Sequence, residues 1–269
     1  MCKMILKSEI IQQLEKMMVP RDSVILVHSS LRAVGKTEGR GEGLLDALRE
    51  HITADGGLLC IPTHTWEYVG NAQKITLDLT IPETCIGTLP NIAAKISDVR
   101  SLHPTHSMAI FGDYKRAREF AKGEENFITP ANPQGCYGKI FERNGYVLLI
   151  GVGHNRNTYL HCVEEMLSVQ NRIAKESKTV TVKNYDGRIE EKIIYPHEAV
   201  GIGDVSLRYP KYEEAFRYHG AIVDGEIGNA KAQLCSARKM KEVMELVYNR
   251  SREKELMLDD TPLDKKLYM

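Results

Sequence analysis

A histidine and a glutamate, His161 and Glu164, have the residue types and the spacing of a general base and the acid that orients it. Two side chains three residues apart on a helix share one face, so the carboxylate is able to hold the imidazole in one tautomer or to support its protonated form. We therefore interpret this pair as a candidate proton-transfer site. The same spacing also occurs on ordinary exposed helices, where both side chains are merely solvated, and spacing alone does not choose between the two interpretations.

The segment that must position this pair is a strand, a loop and a helix over residues 146–165. Its first part, residues 146–152, is an apolar run between glycines, which predicts a strand buried on both faces. From Asn157 or Thr158 onward, apolar residues recur at helical spacing, which predicts a helix that carries the pair on its first turn. Loops that leave a buried strand and enter a helix are where open α/β sheets bind ligands.

Composition excludes several classes of function. The chain has 269 residues, of which 42% are hydrophobic and 27% are charged, as in a globular protein with a sizeable core. Its 36 lysines and arginines balance its 36 aspartates and glutamates, so no overall field attracts nucleic acid or an acidic membrane. No apolar run is long enough for a membrane span, and the amino terminus turns charged too early for a secretory signal, so we expect a cytoplasmic protein.

The metal-binding residue types lack the spacing of a metal site. The six cysteines are scattered without a CxxC or a zinc-type pattern, which favours reduced thiols. His103 and His106 have an HxxH spacing, but Pro104 argues against the helix that would place both rings on one side, and no HExxH frame surrounds them. We therefore predict no metal cofactor.

Two other buried strands are predicted to end in polar loops. Residues 24–27 are apolar and lead into His-Ser-Ser-Leu-Arg, and residues 58–61 lead into Pro-Thr-His-Thr-Trp. The glycines that follow the first loop match neither a P-loop nor a dinucleotide-binding fingerprint. A third strand is predicted at 108–111, directly after the two histidines of the HxxH sequence.

The order of the predicted elements indicates the fold class. Strands alternate with helices as far as residue 170, after which residues 178–184 and 189–195 form two β-rich runs joined at Asp186-Gly187, a strong hairpin signal. Helices are predicted near 211–218 and 237–250. We therefore predict an α/β fold, a single large domain over residues 1–269 with a mixed central sheet flanked by helices, plus a C-terminal antiparallel hairpin and helices. A subdivision near residue 170, with the hairpin and helical part at 171–269, stays open.

Several of these segments together resemble the aminoglycoside 3-N-acetyltransferases, a family of antibiotic N-acetyltransferases that use acetyl-coenzyme A and do not have the GNAT fold. They occur in the family's order over most of the first 170 residues. The similar segments are VHSSLRAVG (27–35), PTHT (62–65), RSLHPTHSMAIFG (100–112), TPANPQGCYGKIFERNGYVLLIGVGHNRNT (129–158) and LHCVEE (160–165).

The resemblance implies roles for individual residues. His161 matches the general-base histidine and Glu164 the acid that follows it, and His28 becomes an active-site histidine. The implied contacts to the coenzyme are Ser29, Ser30, Leu31, Arg32, Val34, Gly35, Thr63, His103 and Ser107.

The implied reaction is direct transfer of the acetyl group of acetyl-CoA, as co-substrate, to the 3-amino group of a 2-deoxystreptamine ring, which is a reaction of antibiotic resistance. Because aminoglycosides are polycations, carboxylates are expected at the acceptor site, and Glu67 and Glu165 are the candidates. The expected partners are thus the amine and acetyl-CoA, and neither nucleic acid nor a membrane. A homodimer stays open.

Four alternatives are left open. A relative that acts on a different amine metabolite would keep the same coenzyme and base. An acyl-enzyme route would need an activated thiol, Cys162 or Cys136. A hydrolase that uses Cys136 with a histidine would turn over esters or amides without coenzyme A, and a non-catalytic protein would bind coenzyme A without transferring an acetyl group.

Overall fold

The computed structural model describes residues 4–269, and the secondary structure of that part of the chain alternates between helices and strands. Its α-helices are α1 (Lys7–Lys16), α2 (Leu31–Val34), α3 (Arg40–Ile52), α4 (Thr88–Ile96), α5 (Tyr114–Ala121), α6 (Cys136–Glu142), α7 (Tyr159–Met166), α8 (Glu213–Tyr218) and α9 (Ala237–Arg250). Its strands are β1 (Val24–Ser29), β2 (Leu58–Pro62), β3 (Leu77–Asp78), β4 (Val99–Arg100), β5 (Met108–Phe111), β6 (Tyr146–Ile150), β7 (Lys178–Lys183), β8 (Ile189–Ile194), β9 (Ile222–Ile227) and β10 (Ala230–Ser236). Short 3-10 helices cover Trp66–Tyr68, Glu124–Asn126, His154–Arg156, Val205–Tyr212 and Lys265–Leu267.

The main sheet has seven strands in the order β4-β5-β2-β1-β6-β10-β9. At its centre β1 pairs in parallel with both β2 and β6, whereas β5 and β10 pair antiparallel with β2 and β6 respectively. The sheet is therefore mixed, as the sequence predicts. In this register His28 lies opposite Leu149 and Ser29 opposite Ile150, so the loops that follow β1 and β6 leave the sheet at the same edge.

Helices cover both faces of the main sheet because successive side chains of its central strands point to opposite faces. On β1, Leu26 belongs to a core cluster that includes Phe120, Leu160 and Met240 from α5, α7 and α9. Its neighbour Ile25 belongs to the opposite cluster, which includes Leu14 of α1 and other apolar side chains of α3 and α4. The near-continuous apolar runs of the central strands follow from this burial on two sides.

A second, smaller sheet of three strands has the order β3-β7-β8. The antiparallel pair β7 and β8 is the hairpin predicted at Asp186-Gly187, and its register pairs Lys183 with Ile189 across that turn. Leu77 of β3 pairs in parallel with Val182 of β7, and both side chains are buried.

A second hairpin, β9 and β10, was not predicted, and it adds two antiparallel strands to the edge of the main sheet beyond β6. The helix predicted near 211–218 is also different in its first part: a 3-10 helix, Val205–Tyr212, precedes α8. That 3-10 helix packs against the one at His154–Arg156, and so reaches the loop that follows β6.

Within residues 4–269, none of the helices combines the length and the apolar character that a bilayer crossing requires.

Candidate functional site

The carboxyl ends of the parallel strands open into one cavity of about 1240 Å³. His28 and Ser29 reach it from the end of β1, His64 from the loop after β2, and Asn155 from the loop after β6. A segment over residues 196–206, which follows β8, forms another part of the wall. The cavity thus lies where open α/β sheets bind ligands, at the edge where several strands end.

Five imidazole rings line this cavity, and four of them form a chain of contacts. The ring of His64 lies 4.3 Å from that of His106, measured between centroids, and His106 meets the ring of His197 edge-on at 5.3 Å. His197 stacks on His161 with centroids 4.2 Å apart and an interplanar angle of 18°. His28 is the fifth, and neither of its ring nitrogens has a hydrogen-bond partner within residues 4–269.

The carboxylate of Glu164 is connected to His161 through a tyrosine and not directly. The Tyr209 hydroxyl lies 2.8 Å from Nδ1 of His161 and donates to Oε2 of Glu164 at 2.6 Å. The other oxygen of Glu164 accepts a hydrogen bond of 2.7 Å from Nε of Arg172, which also forms an ion pair with Glu255. Sharing a helix face brings His161 and Glu164 to the same hydroxyl, so the two side chains are close, as their spacing predicts, and the Tyr209 hydroxyl lies between them.

This chain of hydrogen bonds fixes the tautomer of His161. The single proton of the Tyr209 hydroxyl is given to Glu164, so the hydroxyl oxygen accepts from His161 and Nδ1 of that ring carries a proton. In a neutral imidazole the other nitrogen, Nε2, is then an acceptor with a free lone pair. Since His161 lines the cavity, this lone pair is available to a bound molecule.

Burial dominates the electrostatics of this chain. It lowers the pKa of His161 well below the usual value, and the nearby charges of His197 and Arg172 act in the same direction. Burial also raises the pKa of Glu164, against the opposing charge of Arg172. Although burial opposes the charge of Arg172, hydrogen bonding to Glu255 and the charge of Glu164 raise the pKa of that guanidinium. Near neutral pH the arrangement is therefore a neutral imidazole backed by a buried ion pair.

The loop predicted to contact the coenzyme is only partly at the cavity. Ser29 lines it beside His28, whereas the following residues form α2, whose first turn is capped by the Ser30 hydroxyl accepting from the backbone of Ala33 at 3.3 Å. The side chain of Val34 is in the hydrophobic core on one face of the sheet. Three more predicted contacts belong to this loop but do not line the cavity: Leu31 is half-buried, Arg32 is exposed, and Gly35 ends the helix with φ +93°.

Three other predicted coenzyme contacts, Thr63, His103 and Ser107, are fully buried behind the cavity wall. The hydroxyls of Thr63 and Ser107 lie 2.8 Å apart, and Nδ1 of His103 accepts from the backbone N–H groups of Thr105 and His106. These bonds hold the loops that present His64 and His106 to the cavity. A direct contact between the three residues and a coenzyme stays a prediction.

The two carboxylates predicted for the acceptor site have different surroundings. Glu67 is exposed at the mouth of the cavity. Glu165 is largely buried: its Oε2 accepts from the Thr129 hydroxyl at 2.7 Å, and its Oε1 lies 3.8 Å from Nε2 of His197. Glu165 therefore faces a histidine of the wall and does not line the cavity itself.

Four residues of the site were not identified from the sequence: His64, Arg172, His197 and Tyr209. A fifth, His106, was considered only as part of an HxxH sequence. His64 lies in the PTHT segment directly after a predicted strand, and that position was a usable signal. Arg172, His197 and Tyr209 carry no local pattern that separates them from ordinary loop residues. Tyr209, which lies 48 residues from His161 along the chain, reaches it only through the packing of the segment after β8.

The thiols considered as nucleophiles are in the core. Cys136 and Cys162 are fully buried in the cluster beneath the sheet, and burial raises the pKa of each thiol well above its usual value. Neither lines the cavity. Cys85 does line it, with Sγ 3.3 Å from the carbonyl oxygen of His64, and burial raises the pKa of that thiol as well. Among residues 4–269, no group of three or more His, Cys, Asp or Glu side chains has the arrangement to hold a metal ion.

Comparison with known proteins identifies the relatives of this chain. Residues 26–248 match the sequence model of the aminoglycoside 3-N-acetyltransferases. A segment of 169 residues is 32% identical to aminoglycoside N(3)-acetyltransferase IV of Salmonella sp. and spans 61% of this chain and 60% of that relative.

Solved structures have the same fold. A histidine-to-alanine variant of aminoglycoside acetyltransferase AAC(3)-IVa in complex with gentamicin superposes with a TM-score of 0.77 at 26% identity, covering 94% of this chain and 91% of that one. AAC-IIIb bound to CoASH gives a TM-score of 0.77 at 18% identity, covering 93% of this chain and 98% of that one. These similarities confirm the predicted α/β fold.

Proposed function

This chain belongs to the aminoglycoside 3-N-acetyltransferase family, as its sequence segments predicted, and we propose that it transfers the acetyl group of acetyl-CoA to the 3-amino group of an aminoglycoside. The observation that supports this function best is the state of His161. Its ring is neutral, its Nδ1 proton is held by Tyr209, and its Nε2 lone pair is available in a large cavity.

The proposed role of His161 is that of general base. An amine attacks a thioester only in its unprotonated form, or as it loses a proton, so the site must accept a proton near neutral pH. The lowered pKa keeps His161 unprotonated and ready to accept one. The imidazolium that then forms is stabilised by the negative charge of Glu164, which reaches it through the Tyr209 hydroxyl.

The bonds exchanged in the reaction follow from this role. The amine nitrogen bonds to the carbonyl carbon of the thioester while Nε2 of His161 takes an amine proton. The carbon–sulfur bond then breaks, and the leaving thiolate takes a proton back from His161. The products are an N-acetyl amide and free coenzyme A, so no acyl-enzyme is needed, in agreement with the burial of Cys136 and Cys162.

The cavity is large enough for the reacting parts of both substrates. A volume of about 1240 Å³ exceeds the range of about 300–1,000 Å³ that is typical of a site for one small molecule. His28 and Ser29 line the part at the end of β1, and we assign this side to the thioester arm of acetyl-CoA. The exposed guanidinium of Arg32 lies farther along the same loop, where a charge-assisted hydrogen bond to a phosphate would be expected.

Carboxylates at the mouth favour a cationic acceptor. Glu67, Glu198 and Asp204 are exposed and line the cavity. A polycation gains more from such a rim than a neutral amine would, because several charges are met at once. This observation favours an aminoglycoside over a different amine metabolite, which is the second candidate for the acceptor.

The test is thiol release from acetyl-CoA with a panel of aminoglycosides and simple amines, using the wild type, His161→Ala and His219→Gln. His219 is a matched control because its ring nitrogen binds the backbone carbonyl of Tyr268, away from the cavity. We expect turnover with 2-deoxystreptamine aminoglycosides that falls at least about 100-fold in His161→Ala and is kept in His219→Gln. Turnover only with other amines would change the acceptor, and full activity of His161→Ala would refute the proposed base.

A further inference from the structure

His197 is held next to the proposed base by the same backbone segment that carries Arg172. Ile173 and His197 form an isolated antiparallel bridge, and the backbone N–H of Glu198 donates to the carbonyl oxygen of Arg172 at 3.0 Å. The segment after β8 is therefore attached to the residues that follow α7. This attachment places the His197 ring over the His161 ring, which α7 supplies.

The His197 ring touches two other rings. It stacks on His161 at 4.2 Å with an 18° interplanar angle, and it meets the ring of His106 edge-on at 5.3 Å and 77°. Its side chain is 18% exposed, so most of its surface is used in these contacts. A ring held on one face and along one edge has little freedom to tilt, and it limits the tilt of the ring stacked on it in turn.

Nε2 of His197 faces the buried carboxylate of Glu165, one oxygen of which has no hydrogen-bond partner within residues 4–269. Nε2 of His197 and Oε1 of Glu165 are 3.8 Å apart, each is buried, and neither has a hydrogen-bond partner within residues 4–269. The other oxygen of Glu165 is fixed by the Thr129 hydroxyl at 2.7 Å, and that hydroxyl also accepts from the side chain of Asn132. The carboxylate is thus fixed in place, with its second oxygen 3.8 Å from Nε2 of His197.

We propose that His197 is a positioning residue for the base. It stacks on His161, faces Glu165, and fixes the plane of the His161 ring. In that plane Nδ1 keeps its hydrogen bond to Tyr209 and Nε2 faces the acceptor amine. This inference rests on the proposed role of His161 as the base. Without the stack, the His161 ring is free to rotate about its Cβ–Cγ bond, and Nε2 leaves the line of attack while Nδ1 loses Tyr209.

The test compares two substitutions at His197 that distinguish the effect of the stacked ring from the effect of its nitrogen atoms. His197→Ala removes the stacked ring, and His197→Phe keeps an aromatic ring that cannot be charged. We expect kcat to fall about 10- to 100-fold in His197→Ala with KM for both substrates within about threefold, and to return to within about fivefold of the wild type in His197→Phe.

Two results would overturn the inference. One is a kcat of His197→Ala within twofold of the wild type, and the other is a His197→Phe enzyme as slow as His197→Ala. A merely structural role would lower thermal stability in both variants without a loss of kcat that His197→Phe restores.

A measurement without turnover separates this inference from the proposed function. Long-range ¹H–¹⁵N correlation spectra of histidine-labelled protein report which ring nitrogen of His161 carries the proton, with the signal assigned by its loss in His161→Gln. We expect one tautomer, protonated at Nδ1, in the wild type and in His197→Phe, and a mixture in His197→Ala. His51, whose Nε2 is bonded to the carbonyl oxygen of Val19 far from the cavity, should be unchanged. If no aminoglycoside were acetylated, this spectrum would still decide the role of His197.

Discussion

The hydroxyl of Tyr209 is expected to carry most of the effect of Glu164 on catalysis. It is the one atom placed between Nδ1 of His161 and Oε2 of Glu164, at 2.8 Å and 2.6 Å. Tyr209→Phe removes this oxygen and leaves the ring, which is fully buried in the core next to α7. The substitution therefore tests the hydrogen-bond chain with little change in packing.

The size of the effect follows from the energy of the lost bonds. A hydrogen bond to a charged group contributes about 1.5–3 kcal/mol. When His161 becomes an imidazolium, the bond at Nδ1 is of this kind, whereas in the resting neutral ring it is weaker. Loss of most of this difference predicts that kcat falls about 10- to 100-fold in Tyr209→Phe, with little change in KM for acetyl-CoA.

The assay is steady-state thiol release with saturating acetyl-CoA and an aminoglycoside that the wild type accepts. Tyr212→Phe is the matched control, because Tyr212 lies in the same 3-10 helix, is also buried, and has a hydroxyl with no hydrogen bond to residues 4–269. We expect Tyr212→Phe to keep kcat within about twofold. A Tyr209→Phe enzyme with the kcat of the wild type would refute the hydrogen-bond chain, and equal losses in both variants would point to packing instead.

A double-mutant cycle tests the order of the chain. If Glu164 acts on His161 only through Tyr209, then Glu164→Gln should cost little additional kcat once the hydroxyl is gone, although each single substitution is costly. Additive losses would mean that Glu164 reaches the reacting groups by another route. Thermal stability is measured alongside, because Glu164→Gln leaves the Arg172 guanidinium without its buried partner.

Two further predictions concern stability. Burial lowers the pKa of His28 and of His103 to about 3, so as the pH falls below about 6.5 these side chains take up protons in the unfolded chain but not in the native one. Each such histidine should therefore lower the free energy of unfolding by about 1.4 kcal/mol between pH 7.5 and 5.5. Melting curves at the two pH values should show a marked loss of stability at pH 5.5, and the loss should be smaller in His28→Gln. Gly151, with φ +66°, has no room for a Cβ beside the Cβ of Ala33, so Gly151→Ala should cost about 2–4 kcal/mol in denaturant unfolding, against about 1 kcal/mol for Gly187→Ala at an open turn with φ +84°. Equal melting at both pH values, or equal costs at the two glycines, would contradict these accounts.

The elements predicted correctly from the sequence are those whose own composition reports their burial. The run at β6 is apolar throughout because helices cover both faces of the sheet, and the β7–β8 turn contains Asp186-Gly187 with Gly187 at φ +84°. The β9–β10 hairpin was missed because β9 is an edge strand. Its sequence, IVDGEI, exposes an aspartate and a glutamate to solvent, so its apolar residues do not form a recognisable run.

Only the part of the site that lies on a single helix, α7, was predictable from the sequence. The spacing of His161 and Glu164 is a local property of α7, and it indicated that the two side chains lie close together. Tyr209, which connects them, arrives from a 3-10 helix 45 residues after Glu164. A contact of this kind depends on tertiary packing between segments that have no common periodicity, so no local pattern could contain it.

The two consecutive glutamates of α7 show how one helical turn serves two rings. Neighbouring residues on an α-helix point about 100° apart, so Glu164 and Glu165 cannot face the same wall. Glu164 meets Tyr209 and, through it, the edge of His161, whereas Glu165 meets His197, which covers the face of His161. A single carboxylate could fix the tautomer or the plane of the ring, but not both, because the two constraints come from perpendicular directions. The adjacency of the two glutamates is therefore what lets α7 constrain the ring of the proposed base along its edge and across its face.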